Sequence, residues 1–252
     1  MVKQTKCFYK ENYEGKVFST NNFGDIEVIE YTDSKKVLIK FVRTGNTKYA
    51  TMGNIKKGVV CDNELPSLYG VGFTDIPSRV DHRLYGIWNG MFSRCYYDKY
   101  HEKYASYKGC EVIGEFKYLS KFIEWCSLQK GFDQEGFQLD KDILIKGNKF
   151  YSSETCCFVP KDLNTLLTHR RKDKGLYPVG VSYKPRINKY IAQISKFKEV
   201  IHLGSFTTPE EAFYAYKEAK ESYIKEVAEL YKDQIDIRVY EALMKYEVDI
   251  ND

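Results

Sequence analysis

The chain has 252 residues, with 39 Lys and Arg against 35 Asp and Glu, and a formal net charge of +4. Hydrophobic residues make up 43% and charged residues 29%, which is typical of globular proteins and excludes a wholly disordered, collagen-like or coiled-coil chain. No stretch approaches the ~18 uninterrupted apolar residues of a membrane helix, and the opening MVKQTK lacks the apolar core of a secretory signal. We therefore expect a cytoplasmic protein without a membrane partner.

The pattern of predicted elements divides the chain into three segments, residues 1–75, 80–172 and 175–252, and predicts an α+β fold. In the first segment, β-branched and aromatic runs are separated by turn residues. The runs are residues 17–19, 26–31, 37–42 and 48–55. Short runs with hairpin-length gaps predict a small antiparallel β domain, a kind of module that binds peptides or nucleic acids.

The second segment predicts two helices followed by a hairpin and a third helix. Over residues 84–92, Ile87, Trp88 and Met91 share one helical face, and residues 118–128 carry a second apolar stripe. Strand-like residues 139–144 and 151–159 flank a turn at 146–148. Pro160 then opens a helix over 161–168, since proline suits the first helical turn.

The third segment predicts a three-stranded sheet packed on one long helix. Its strand signals lie at residues 179–183, 189–196 and 200–203. Thr208 is a good N-cap, Pro209 suits the first helical position, and Glu211 completes a capping box. Small residues recur at helical spacing along the next two turns, so this helix can lie close on the sheet. A further short helix is predicted over residues 239–246.

Positive charge is concentrated between Lys161 and Phe206. This span has ten basic residues against three acidic ones, a net charge of +7, so the other residues sum to −3 of the total +4. The basic residues are Lys161, Arg170, Arg171, Lys172, Lys174, Lys184, Arg186, Lys189, Lys196 and Lys198. Such a patch attracts backbone phosphates, largely through the release of counterions. Lysine-rich turns that serve only solubility are the alternative.

Strand alternation predicts which side chains of the sheet face the helix and which face outward. The expected inward set is Tyr190, Ala192, Ile194, Val181, Ile201 and Leu203. The expected outward set is Lys189, Ile191, Gln193, Ser195, Ser182, Lys184 and His202. A face of Lys, Gln, Ser and His side chains can hydrogen-bond phosphates or base edges, with Gln suited to adenine and Lys to guanine or phosphate. A plain solvated face would alternate in the same way, and the adjacent basic cluster favours nucleic acid.

Part of this segment resembles the apetala/ethylene-response-factor DNA-binding domain. The matching stretches are residues 180–181, residues 190–194, the run HLGSFTTPEEA at 202–212, and Ala215-Tyr216, within about 55 residues. That family has three strands and a helix and reads the major groove with its sheet. The resemblance implies DNA-facing positions at Ser182, Lys184, Gln193, Ser195, Val200 and His202. The family has mostly Arg and Trp at these positions.

The second segment resembles HNH-endonuclease-like proteins of bacteriophages, which often carry such a DNA-binding domain behind them. The matching stretches are YGIWNGMFSRCY at 85–96, YKGC at 107–110, LDKD at 139–142 and YSSETC at 151–156. Together the two resemblances cover about 165 residues and leave the N-terminal segment unexplained. They imply a phage protein that acts in the cytoplasm of its bacterial host.

The HNH reaction needs a His that activates water and a metal ion held by Asp and by His or Asn. Asp140 stands at the position of the ligand Asp, and Asn164, on the following helix, at that of the last ligand. Lys141 stands where the base His is usual, and a protonated Lys cannot accept the water's proton. Thr155 replaces the central Asn. A degenerate, DNA-binding scaffold is the favoured interpretation, and a metal-dependent, homing-like DNA endonuclease with a divalent cofactor is the alternative.

Three cysteines, Cys95, Cys110 and Cys156, coincide with cysteine positions of the resembling family and make a weak zinc candidate. No close Cys-x-x-Cys pair anchors such a site. Buried free thiols are therefore the favoured explanation. Seven scattered cysteines also do not resemble a secreted disulfide framework. We predict no other cofactor.

The function predicted from the sequence is binding of double-stranded DNA through the C-terminal sheet. Groove contacts are assigned to Lys184, Gln193 and His202. Phosphate contacts are assigned to Arg170, Arg171, Lys172, Lys174, Arg186, Lys189, Lys196 and Lys198. Besides the endonuclease, a further alternative is a phage protein that binds a host protein through residues 1–75. The DNA sequence recognised and the oligomeric state stay open at this point.

Overall fold

A computed structural model describes residues 9–76, 80–167 and 176–250. The chain forms two compact units, Met1–Glu124 and Trp125–Asp252. Both contain helices and antiparallel strand pairs, which confirms the predicted α+β class. None of the helices described is long and apolar enough to cross a membrane. The predicted boundary at 172–175 falls outside the described residues, and the three predicted domain ranges stay predictions.

In the first unit, a helical stretch at residues 9–13 precedes a four-stranded meander. Its strands are β1 (Val17–Ser19), β2 (Asp25–Asp33), β3 (Lys36–Phe41) and β4 (Thr47–Ala50), in the order β1-β2-β3-β4. Alternate side chains of β2 and β3, among them Ile26, Val28, Val37 and Ile39, are buried in one core. This is the period of two that a strand with one buried face requires.

The fourth predicted run, residues 48–55, is only half strand. After β4 the chain turns into a short helix, α1 (Met52–Lys56). The Thr51 side chain accepts a hydrogen bond from the Asn54 N–H (3.2 Å) and caps this helix. Met52 and Ile55, three residues apart, are both buried against the sheet core. A local cap and helical spacing therefore override the β-like composition of the run.

The rest of the first unit is mainly helical. It contains α2 (His82–Tyr96), α3 (Asp98–Lys103), a 3-10 turn at Ala105–Tyr107, β5 (Glu111–Val112), a second 3-10 turn at Gly114–Lys117 and the start of α4 (Leu119–Leu128). The indole of the buried Trp88 donates to the Phe116 carbonyl (2.8 Å). The backbone N–H of Ser120 donates to the Asp75 carboxylate (2.9 Å) at the start of α4. The helices predicted over 84–92 and 118–128 are confirmed, and α3 was not foreseen.

The second unit continues with a hairpin and a helix. β6 (Phe137–Asp140) pairs antiparallel with β8 (Cys157–Pro160), with Asp140 opposite Cys157. A long connection between them contains the short strand β7 (Phe150–Tyr151). The helix α5 (Lys161–Leu167) follows directly after Pro160. The predicted order of hairpin and helix is confirmed, whereas the run 151–159 is interrupted by a turn at residues 152–155.

The chain ends in the predicted three-stranded sheet and long helix. The strands β9 (Val181–Lys184), β10 (Lys189–Lys196) and β11 (Glu199–Phe206) form a sheet of order β11-β10-β9. The helices α6 (Pro209–Tyr231) and α7 (Ile237–Met244) follow. Both hydrogen bonds of the capping box form, because Thr208 accepts from the Glu211 N–H (3.2 Å) and Glu211 accepts from the Thr208 N–H (3.2 Å).

One hydrophobic core joins the two parts of the second unit. Val159 and Leu163, from β8 and α5, belong to the same buried cluster as Ile194 of β10 and Phe213 and Ile224 of α6. The hairpin with its helix and the C-terminal sheet with its helix are therefore packed on common side chains. This core fixes where the polar faces of both parts lie.

Candidate nucleic-acid interface

One face of the C-terminal sheet is closed by α6. Ala192 and Ile194 of the central strand are buried on this side, as predicted. The helix comes very close at Gly180, which has a left-handed φ of +78°. A Cβ there would lie 2.1 Å from the ring of Tyr216, so the backbone conformation and the close approach both require glycine. The helix-facing side is thus unavailable to a ligand.

The other face presents polar side chains to solvent. Ser182, Lys184, Gln193, Ser195 and His202 are all exposed. Gln193 on the central strand lies directly opposite His202 on β11. Directly opposed side chains in an antiparallel pair have Cβ atoms about 5 Å apart, so the amide and the imidazole form one contiguous hydrogen-bonding surface. This is the arrangement that the sequence predicted for these five residues.

Two side chains of the sheet differ in exposure from their predicted positions. Ile191 was expected to be exposed on the outer face, yet it is only 2% exposed. It lies on the central strand, flanked by Ser182 on one side and Ser205 on the other. Ile201 is 41% exposed, although its pairing with Ile194 directs it to the helix side as predicted. It lies on the edge strand β11, where a side chain has a neighbouring strand on only one side.

A bulge changes the pairing of β11 beside the Gln193–His202 pair. Ala192 pairs with Gly204 while Gln193 pairs with His202, so Leu203 is the extra residue. A bulge of this kind bends the strand and increases its twist. Leu203 still packs against the hydrophobic core, and His202 therefore remains on the outer face.

The β10–β11 hairpin has a two-residue turn made of Phe197 and Lys198. Both residues have positive φ, +49° and +70°, which is the geometry of a type I′ turn. Such a turn usually contains Asn or Gly because a Cβ disfavours the left-handed region. Here the Phe197 ring packs edge-on against Tyr223, with centroids 5.2 Å apart, and its N–H donates to the Tyr223 hydroxyl (2.9 Å). The turn leaves Lys198 exposed at the tip.

The predicted phosphate-binding residues fall into three groups. Arg186 and Lys198 are exposed and Lys189 is half-buried, all on or beside the sheet. Lys196 forms an ion pair with Glu226 of α6, and its ammonium lies 5.5 Å from the ring centroid of Tyr223. Its alternation with Ile194 directs it to the helix side, so its charge is neutralised within the protein. Arg170, Arg171, Lys172 and Lys174 lie outside the described residues.

The carboxylate of Asp140, the predicted metal ligand, is hydrogen-bonded to the backbone of its own loop. Its Oδ1 accepts hydrogen bonds from the backbone N–H groups of Asp142 and Ile143, both at 2.8 Å. Burial raises the pKa of Asp140, and these two backbone hydrogen bonds oppose the rise. The amide of Asn164 on α5 donates to Gln138 (3.4 Å) on the same strand. Asp140 therefore begins a tight turn after β6.

The buried side chain of Lys141 links parts of the connection between β6 and β8 by hydrogen bonds. Its side chain is buried, and Nζ donates to the Asn148 carbonyl (2.6 Å) and to Asp142 (2.7 Å). In return, the Asn148 amide donates to the carbonyls of Lys141 (2.7 Å) and Phe150 (2.6 Å). The Thr155 hydroxyl also donates to the Phe150 carbonyl (2.8 Å). Lys141 and Thr155, at the positions where the resemblance predicts the HNH His and Asn, thus hold the loop together. We call these bonded residues the 141–155 network.

The cysteines do not form a metal site among the residues described. Cys95, Cys110 and Cys156 are buried, and burial raises the pKa of Cys156 to about 12. Zinc binds the thiolate form of cysteine, which burial disfavours here. Nowhere in residues 9–76, 80–167 and 176–250 do three or more His, Cys, Asp or Glu side chains form a group that could hold a metal ion.

The first unit carries an aromatic surface that the sequence reasoning did not single out. Five tyrosines lie within residues 96–107, interspersed with lysines. Tyr97 and Tyr104 are exposed, and Lys103 Nζ lies 5.1 Å from the Tyr104 ring centroid. This local density of tyrosine was the available signal, but the unforeseen helix α3 was needed to place the rings.

Compared with known proteins, the chain matches no family model, no curated protein and no solved structure. Its function therefore has to be inferred from the residues and their geometry.

Proposed function

We propose that the protein binds double-stranded DNA and inserts the outer face of the β9–β10–β11 sheet into the major groove. The observation that carries this proposal is the opposed, exposed pair of Gln193 and His202, flanked on the same face by Ser182, Lys184 and Ser195. The major groove admits a β-structure and presents a distinct pattern of donors and acceptors for each base pair. The closed helix side gives the sheet a rigid support.

The side chains divide into those that read bases and those that contact phosphates. We assign Gln193 to an adenine edge, Lys184 to guanine, and His202 to an adjacent acceptor, following the preferred pairings of these groups. Arg186, Lys189 and Lys198 lie around this surface and are assigned to phosphates, which position the protein without selecting a sequence. Lys196 is removed from the predicted set, because its charge is paired with Glu226.

The salt dependence of duplex binding tests the electrostatic part. With at least three phosphate contacts, a plot of log affinity against log salt is expected to have a slope steeper than about −2.5. Lys198→Gln is expected to make that slope shallower by about 1, whereas Lys225→Gln, an exposed lysine of α6, leaves it unchanged. Fluorescence anisotropy with a random-sequence duplex measures both. A flat salt response of the wild type overturns the proposal.

The base-reading part is tested on a duplex first selected from a random pool. Gln193→Ala/His202→Ala removes two assigned base contacts and is expected to weaken binding to the selected site at least about tenfold, since one good base contact contributes about 1–3 kcal/mol. Binding to an unrelated duplex stays nearly constant, because phosphate contacts are retained. Equal loss on both duplexes would assign these side chains to the backbone and remove base reading from the proposal.

We infer that the hairpin and α5 act as a scaffold and not as a nuclease. The Asp140 carboxylate accepts two backbone hydrogen bonds, and a buried, ion-paired lysine stands where the base histidine of an HNH site is expected. A plasmid-nicking assay with magnesium, manganese or zinc is expected to show no cleavage above that of Asp140→Ala. Cleavage by the wild type that Asp140→Ala abolishes would instead establish the endonuclease. Action in the cytoplasm of a phage-infected bacterium is part of the same proposal and rests on the two family resemblances.

A further inference from the structure

Three exposed tyrosines of the first unit lie at the two ends of α3 or beside its first end, and α3 itself carries two exposed lysines. Tyr69, Tyr97 and Tyr104 are 41%, 43% and 41% exposed, and Lys99 and Lys103 are exposed on α3. We call these five residues the tyrosine surface. Exposed aromatic rings in one patch are unusual in a monomeric surface unless they bind something.

The rings are held in place by the surrounding structure. Tyr97 has an extended conformation at the junction where α2 ends and α3 begins. His101 Nε2 donates to the Arg94 carbonyl (2.8 Å) and ties α3 back onto α2. Tyr100 packs against Tyr104, with ring centroids 4.8 Å apart, and edge-on against Tyr107 at 5.6 Å. The partly buried ring of Tyr100 therefore supports Tyr104, and Tyr107 in turn packs on Tyr100.

Tyr69 reaches this group from a tight turn. It has a left-handed φ of +51° and is followed by Gly70, at +70°. A non-glycine residue in this region is strained, and such strain persists only where the surrounding structure enforces it. The turn brings the Tyr69 ring centroid within 6.4 Å of that of Tyr97. Two rings from separate parts of the sequence thus form one aromatic platform.

The charge of the segment selects the kind of partner. Between Arg94 and Lys108 there are four basic residues against two acidic ones. Lys103 already lies over the ring of Tyr104, with Nζ 5.1 Å from the centroid. Aromatic rings beside cations bind unpaired nucleotides, because bases stack on the rings while the cations attract phosphates. A duplex does not offer its base faces, since they are stacked on one another.

We propose that the tyrosine surface binds unpaired nucleotides of single-stranded DNA. Stacking on Tyr97 and Tyr104 supplies the base contacts, and Lys99 and Lys103 supply the phosphate contacts. The choice of DNA over RNA rests on the proposed duplex-binding function of the same chain. The stacking itself does not depend on that function.

The test uses the full chain and a fluorescein-labelled dT oligomer of ~12 nucleotides, within the usual range of site sizes. Tyr97→Ala/Tyr104→Ala is expected to weaken dT binding at least about tenfold, since each stacked base contributes about 1–3 kcal/mol. Tyr97→Phe/Tyr104→Phe keeps the rings and is expected to bind within about threefold of wild type. Tyr214→Ala, an exposed tyrosine of α6, is the matched control and is expected to bind as wild type does.

Repeating the titrations in a Lys184→Ala/Gln193→Ala/His202→Ala background separates this surface from the C-terminal sheet. That background is expected to lose most of its binding to the selected duplex and keep dT binding, so each proposal fails or survives independently. Far-UV circular dichroism and thermal melting confirm that each variant is folded. Wild-type dT binding by the alanine variant assigns the tyrosine surface to another partner, such as a protein, and overturns the proposal. Equal losses with Ala and Phe, or tighter binding of an rU oligomer than of dT, also overturn it.

Discussion

The outer face of the C-terminal sheet and the 141–155 network contain similar polar side chains in opposite circumstances. On the sheet, Gln193 and His202 are exposed and side by side. In the network, Lys141 and Asn148 are buried and exchange hydrogen bonds with each other's backbone. Amide and cationic groups bind a ligand only where the fold leaves them in water with unsatisfied capacity. The same groups stabilise a loop where burial makes an unpaired donor or acceptor costly.

The largest effect is expected when a buried residue of the 141–155 network is replaced, and it is a loss of protein stability. Asn148→Ala removes two donated hydrogen bonds and the one that Asn148 Oδ1 accepts from the Phe150 N–H (3.1 Å). Since buried partners are left unsatisfied, we expect the free energy of unfolding to fall by about 3 kcal/mol, measured by urea denaturation. Gln193→Ala, the control on the exposed face, is expected to change it by less than about 0.5 kcal/mol. Similar losses in both variants would remove the contrast.

A smaller effect, on the pH dependence of stability, tests whether Asp140 has a structural role. Burial raises its pKa in the folded state, so as pH rises above about 4 the unfolded state releases the proton first and the folded state loses stability. Asp140→Asn keeps the Oδ1 acceptor and has no proton to release. We therefore expect this variant to melt at a higher temperature than wild type at neutral pH, and the difference to shrink near pH 3.

Thermal melting across pH measures this difference. A variant that is less stable than wild type at neutral pH would show that the Asp140 charge stabilises the loop, contrary to the direction expected from burial.

The smallest expected effect concerns the hairpin turn beside the sheet face. Lys198→Gly relieves a left-handed conformation that costs a side-chain-bearing residue about 1–2 kcal/mol, while glycine loses more entropy on folding. We expect a net gain of about 0.5 kcal/mol in the free energy of unfolding. Phe197→Gly is expected to destabilise instead, because it removes the ring contact with Tyr223. Calorimetry on both variants measures these changes in stability. A loss of stability in Lys198→Gly would show that the left-handed conformation of Lys198 is not strained.

Features governed by neighbours in sequence could be predicted from the sequence. The capping box of Thr208 and Glu211 spans three residues, and both its hydrogen bonds form. Alternation along β10 gave the correct sides for Gln193 and Ile194. Each of these depends only on backbone geometry within one element.

Features that depend on distant partners could not be predicted. The role of Lys196 depends on Glu226, 30 residues away on another element. The burial of Ile191 is opposite to what alternation along β10 predicts for the outer face. Lys141 was interpreted only as a missing base, because nothing in the local pattern shows that its charge is buried against the Asn148 carbonyl. Whether a polar residue binds a ligand or the protein itself is decided by such tertiary contacts.

The common core of the second unit limits how modular the proposed DNA reader can be. Phe213 and Ile224 share their buried cluster with Val159 and Leu163. A fragment that starts at residue 176 would leave those aromatic and aliphatic surfaces in water. Grafting the last 77 residues onto another protein would therefore transfer the reading face without the support that keeps it folded.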